Sequence, residues 1–132
     1  MSTARNVRIA LCDDQALVLR GLSSLLADLG VEIALEATDA ERLLAALPQR
    51  PVDLIVSDIR MPGMDGMAFL KRLMSLDSGL PVIMITGHGD VPMAVEAMQH
   101  GAADFLQKPF GDRDLLDRVR KALANDADAR AS

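Results

Sequence analysis

Residues 81–86, PVIMIT, limit what this chain can fold into more than any other stretch. The run is strand-length and nearly all apolar. Such a strand needs cover on both faces, the setting of a parallel sheet flanked by helices. Comparable runs stand at 7–11 (VRIAL), 31–36 (VEIALE), 52–57 (VDLIVS) and 103–107 (ADFLQ). After each of them the apolar period lengthens to that of a helix. Val18, Leu22, Leu25, Leu26 and Leu29 share one helical face, and Ala40, Leu43, Leu44 and Leu47 a second. Phe69, Leu70 and Leu73 form a third, Ala94, Ala97 and Met98 a fourth. Leu115, Leu116, Val119, Ala122 and Leu123 form a fifth.

Breakers and caps separate these segments. Gly30 stops the first helix and Gly101 the fourth. Thr38 and Glu41 have capping-box spacing, and Pro48 and Pro51 bracket the exit of that helix. Asp65 caps the third helix, and Ser78 with Gly79 ends it. Asp90 caps the fourth, with Pro92 in its first turn, and Asp112 or Asp114 opens the fifth. Five βα units with no internal repeat predict a doubly wound α/β domain, (βα)5, with a parallel five-stranded sheet and right-handed crossovers. A chain of 132 residues fits one such domain. It is expected to occupy 1–124. Residues 125–132 (NDADARAS) read as a frayed helix end or the start of a linker.

Composition excludes several classes. A net charge of −5, no Trp or Tyr and three Phe argue against direct nucleic-acid binding by this domain. No apolar run approaches the roughly 20 residues that span a bilayer. The first residues, MSTARN, have no signal-peptide core, and the single Cys12 suits a reducing compartment, so a cytoplasmic location is expected. Cys12 reads as a small buried hydrophobe, and His88 and His100 as surface residues. Met74, Met84 and Met98 read as core filler, Met61 and Met64 as partly exposed.

The polar residues at the strand ends carry the chemistry. In an open α/β sheet, loops at the strand C-termini form the binding crevice. Asp13 and Asp14 follow the first run, Asp58 the third, Thr86 closes the fourth and Lys108 follows the fifth. If the first and third strands are neighbours, three carboxylates crowd one crevice, and like charges at that range call for a cation. Oxygen ligands without imidazole or thiolate favour a hard ion, Mg²⁺ first and Mn²⁺ second. The same set meets the needs of phosphoryl transfer: a carboxylate nucleophile, a metal, and donors from Thr86 and Lys108. Each residue alone is ordinary for a cap, a strand end or a loop. Their meeting at one end of one sheet is what counts.

The stretches CDDQ (12–15), SDIRMPGMDG (57–66), ITGHGD (85–90) and DFLQKPF (104–110), in this order, resemble the receiver domain of bacterial two-component response regulators. The likeness runs over about 7–123. It implies the flavodoxin-like strand order 2-1-3-4-5. It further implies that Asp58 accepts a phosphoryl group from a sensor histidine kinase. Asp13, Asp14, Asp58 and the Arg60 backbone carbonyl would hold the metal, with the Met-Pro-Gly turn shaping the loop that presents that carbonyl. Thr86 and Phe105 would be the switch pair, Lys108 the phosphoryl-binding lysine and Pro109 a cis proline. Gln15 replaces a third acid often seen after the pair, at a position that is not a metal ligand.

The resemblance also implies a homodimer through the fourth helix, fifth strand and fifth helix, and an output domain absent from this chain. On that face Met93, Glu96, Gln99 and His100 are expected to point outward, with Asp112, Arg113, Asp117, Arg118 and Lys121 as mixed charges. Residues 87–110 resemble two subgroups: C4-dicarboxylate transport activators with an AAA+ ATPase, and nitrogen-fixation regulators with a helix-turn-helix output. A phosphorylation-independent docking or dimerisation module is the alternative. A haloacid-dehalogenase-type phosphatase fails because Asp13 and Asp14 are adjacent rather than two apart. A nucleotide-binding Rossmann domain fails because no glycine-rich turn follows the first strand.

Overall fold

The computed structural model describes residues 7–61, 64–87 and 89–131, with side chains for 7–60, 65–87 and 89–125. Pro62, Gly63 and His88 lie outside the described residues, as do the side chains of Met61 and Met64. Ten elements alternate: β1 (Arg8–Cys12), α1 (Ala16–Ala27), β2 (Glu32–Ala37), α2 (Ala40–Ala46), β3 (Leu54–Asp58), α3 (Gly66–Leu76), β4 (Val82–Thr86), α4 (Val91–Gln99), β5 (Asp104–Gln107) and α5 (Asp112–Ala131). The strands form one sheet in the order β2-β1-β3-β4-β5, every neighbouring pair parallel. Between β3 and α3, Arg60–Met61 pairs antiparallel with Met64–Asp65 in a separate short ladder.

Alternate strand residues point to opposite faces, so two cores form. On one face Ala10, Cys12, Ile55, Val82 and Met84 pack beneath α2, α3 and α4. On the other Ile9, Leu11, Leu54, Val56, Ile83 and Ile85 pack beneath α1 and α5. β3 and β4 are apolar on both faces because both are covered. Among the described residues, no helix is long and apolar enough to cross a membrane. Cys12 is buried as expected, and burial pushes its thiol up to about 12, leaving it unreactive.

Local chemistry explains most boundaries and corrects some. Gly30 and Gly101 have φ of 76° and 112°, the left-handed conformation that ends a helix at little cost for glycine. Asp39, not Thr38, caps α2: its extended backbone lets the carboxylate accept the Arg42 N–H at 2.8 Å. Asp65 caps α3 in the same way, through the Ala68 N–H at 2.9 Å. On α4, Met98 is 41% exposed rather than inward, and Met93 packs against the core rather than outward. The small Ala94 and Ala97 set the line of contact, and that line passes through position 93, not 98. Arg118 is not a free surface charge either. It donates to Asp104 Oδ1 at 2.7 Å and to the Phe105 carbonyl at 3.0 Å.

Gly21 lies exposed within α1, where an added Cβ meets nothing within 4 Å. Gly21→Ala is therefore expected to stabilise the fold by about 0.5–1 kcal/mol, because it removes backbone freedom from the unfolded chain. Urea unfolding checks this, and an unchanged midpoint would contradict it.

Candidate functional site

The register of the sheet assembles the polar residues. Cys12 pairs with Ser57, so the next residues, Asp13 and Asp58, leave β1 and β3 side by side. Asp58 pairs with Ile85, one residue before Thr86, and Thr86 pairs with Gln107, one residue before Lys108. The Lys108 N–H donates to the Thr86 carbonyl at 2.8 Å, and the Lys108–Pro109 peptide is cis.

One oxygen from each of Asp13, Asp14 and Asp58 lies within 4.8 Å of the others. Asp13 is buried, Asp58 is half-buried and Asp14 is exposed. Asp13 Oδ1 accepts the Gln15 N–H at 2.9 Å, and its Oδ2 is buried without a hydrogen bond among the described residues. Asp58 Oδ1 accepts the Arg60 N–H at 3.1 Å. Lys108 Nζ stands 3.5 Å from Asp58 Oδ2 and 3.9 Å from Asp13 Oδ2, the nearer contact being to Asp58. Thr86 is fully buried, its hydroxyl without a hydrogen-bond partner among the described residues. Phe105 is half-buried against the α4 side of the core. The structure thus brings Asp13, Asp14, Asp58 and Lys108 together directly, and sets Thr86 and Phe105 on the adjoining strands. His100 is exposed, 3.8 Å from Glu96.

Burial, and then the Asp58 charge, push the Asp13 carboxyl above its ordinary value, while the Gln15 N–H and Lys108 act against them. An orphaned buried oxygen in an oxygen-only trio fits a hard divalent cation. It also has a consequence for stability. Between the ordinary value of 3.8 and the raised one, the folded protein holds a proton that the unfolded chain has released. Stability from this group therefore falls as pH rises through that window, and the penalty stays constant above it. In chelator near neutral pH, Asp13→Asn is expected to raise stability, because it removes the charge that burial and Asp58 oppose. The gain should vanish when the pH falls below the window. Thermal unfolding at both pH values checks it, and a destabilised variant at neutral pH would contradict it.

A further pair was not expected. Both carboxylate oxygens of Asp90 are gripped by the Arg60 side chain: Nε lies 3.0 Å from Oδ1 and 2.9 Å from Oδ2, with Nη2 also on Oδ1. The guanidinium holds the Asp90 carboxyl below its usual range, and Asp90 in turn raises Arg60. In the sequence Arg60 stands as a carbonyl ligand and Asp90 as a cap, with nothing to pair their side chains. Thirty residues separate them, and no local spacing announces the contact.

Residues 9–120 match the response regulator receiver domain family. The chain is 48% identical over 116 residues to the C4-dicarboxylate transport transcriptional regulatory protein DctD of Pseudomonas aeruginosa, covering 88% of this chain and 25% of that protein. It is 45% identical over 115 residues to the transcriptional regulatory protein FixJ of Bradyrhizobium diazoefficiens, covering 87% and 56%. It therefore spans a quarter to somewhat over half of these relatives. Among solved structures, the receiver domain of NtrX from Brucella abortus superposes with a TM-score of 0.82 at 36% identity, covering 88% of this chain and 98% of that one. Full-length FixJ from B. japonicum gives 0.87 at 41%, covering 97% and 63%.

Proposed function

The chain belongs to the response regulator receiver domains, and on that premise we propose that Asp58 is its phosphoacceptor, loaded from the phosphohistidine of a sensor histidine kinase. The observation that carries this is the carboxylate trio with Lys108 3.5 Å from Asp58. A carboxylate oxygen of Asp58 bonds to phosphorus as the phosphorus–nitrogen bond breaks, and the electron pair returns to the imidazole. Lys108 neutralises the phosphoryl oxygens and Thr86 donates its hydroxyl to one of them. Asp13, Asp14, Asp58 and the Arg60 carbonyl would hold Mg²⁺, or Mn²⁺ in its place. When bound, the ion neutralises charge among the carboxylates and on the transferred group.

The domain is a signalling switch rather than a classical enzyme. Its own chemistry, in this reading, is limited to phosphoryl uptake and autodephosphorylation. Added charge on Asp58 draws in Thr86, Phe105 rotates into the space, and the face made by α4, β5 and α5 changes its choice of partner. That partner is a second copy of the chain, and the consequence is felt by an output domain beyond the receiver at 1–124, reached through 125–132. Likeness to DctD supports a cytoplasmic transcriptional regulator, with C4-dicarboxylate transport genes as the targets. The acidic balance of the domain leaves DNA contact to the output domain.

The test is incubation with acetyl phosphate and Mg²⁺, read by intact mass. One phosphoryl group is expected per chain, and none with chelator. Mg²⁺ at about 100 times its dissociation constant should also add about 2.7 kcal/mol of stability. Uptake that ignores chelation, or no uptake in either condition, overturns the reading.

A further inference from the structure

Three aspartates occupy helix N-cap positions at α2, α3 and α4, but only two of them cap. Asp39 and Asp65 have extended backbones and accept N–H groups of their helices. Asp90 has φ −100° and ψ 15° and makes no side-chain cap bond. Its carboxylate is taken by the Arg60 guanidinium and, at 3.3 Å, by the Gly87 N–H. α4 starts at Val91 with Pro92 next, which has no N–H to offer. The Ala94 N–H already bonds the Asp90 carbonyl. The Met93 N–H is then the donor that a capping side chain at Asp90 would take.

The other half of the pair stands beside the phosphoacceptor position. Arg60 is two residues past Asp58, and its N–H bonds the Asp58 carboxylate. Its side chain is 67% exposed while that of Asp90 is 6% exposed. The arginine has open solvent to swing into once its bonds to Asp90 break, and the aspartate needs a replacement partner when it does. A phosphoryl group carries more charge than a carboxylate and offers three oxygens to a planar fork of donors. Gly87 and Gly89, the latter at φ 90°, lie in the segment leading into Asp90 and permit it to change backbone conformation.

We infer that Asp90 holds the Arg60 side chain in reserve and yields it to a phosphoryl group on Asp58, whereupon the freed carboxylate caps α4 at Met93. Arg60 is thus a further phosphoryl-binding residue, and Asp90 is a positioning residue that acts through it. The exchange ties a charge arriving at the end of β3 to the N-terminus of α4, on the face proposed to change partner. It rests on Asp58 being the phosphoacceptor.

The test uses beryllofluoride with Mg²⁺, a mimic of the phosphoryl group, followed by NMR. In the wild-type chain the Arg60 Nε–H resonance and the Met93 amide proton are expected to move together, the latter downfield as it gains an acceptor. Asp90→Asn should bind beryllofluoride several-fold more tightly, because the arginine is already released. Arg60→Gln should bind several-fold more weakly, and the double variant should match Arg60→Gln alone. If wild-type binding saturates while both resonances stay still, or if Asp90→Asn weakens binding, the exchange is wrong and the phosphoacceptor reading stands. If wild type binds no beryllofluoride, that reading fails and the exchange with it. Should Asp90→Asn fail to fold, the wild-type spectra decide by themselves.

Discussion

Asp58→Asn is expected to reduce phosphoryl uptake from acetyl phosphate to background while leaving the fold in place. Three carboxylates share the crevice, so the choice among them has to be argued. Asp13 is the most buried, and one of its oxygens is already fixed on the Gln15 N–H. Asp14 is exposed and, among the described residues, makes no ion pair with Lys108. Asp58 ends the strand in the middle of the sheet, its side chain is 13% exposed, and Lys108 stands closer to it than to Asp13. It combines access with a cation for the incoming oxygens. Asparagine keeps the shape and an oxygen that can accept the Arg60 N–H, but its amide is a poor nucleophile. Circular dichroism should therefore match wild type. Persistent labelling of the variant would move the acceptor to Asp13 or Asp14 and sink the assignment.

Gly66→Ala is expected to be the most damaging of the small substitutions near the site. A Cβ there would run into the Ile59 carbonyl oxygen and its Cγ1. Neither wall yields easily. Ile59 is fully buried, and its N–H donates to the Ile85 carbonyl at 2.8 Å. The start of α3 is held by the Asp65 cap and by Phe69, which is fully buried. Overpacking of this kind costs about 1–3 kcal/mol. The midpoint should fall by roughly 4 °C for each kcal/mol in a chain of this size. Because Ile59 follows Asp58 directly, phosphoryl uptake should fall as well, unlike in Gly21→Ala. A wild-type midpoint in a thermal melt would show that the loop gives way, and the argument for a tight join would collapse.

Much of the fold was legible because its signals are local and repeated. PVIMIT had to be covered on both faces, and β4 is. The alternation of strand-length and helix-length runs led to a parallel sheet, and Asp65 was a cap in the sequence and is one in space. What was not legible depended on position to within one residue or on partners far apart in the chain. Thr38 and Asp39 are both good cap residues, and only the backbone conformation at 39 decides between them. Met93 and Met98 look alike until the short Ala94 and Ala97 fix the roll of α4. Arg60 was read as a carbonyl ligand, Asp90 as a cap and Arg118 as a surface charge, because an ion pair between separate elements leaves no periodicity. The crevice residues were legible for the opposite reason: strand ends fall on one side of such a sheet whatever the loops do.

The clasp at Arg118 bears on how copies of this protein stay apart. β5 is the last strand, and its outer side offers backbone groups to any passing chain. At Phe105 both groups are already taken: the N–H donates to Asp104 Oδ1 at 2.8 Å and the carbonyl accepts from Arg118 Nη1. A carboxylate and a guanidinium, themselves bonded together, imitate the peptide unit of an absent sixth strand. Edge-to-edge stacking, the usual first step toward an aggregate, would have to strip away that charged pair before it could begin. Growth of the sheet from one molecule into the next is thereby opposed at Phe105.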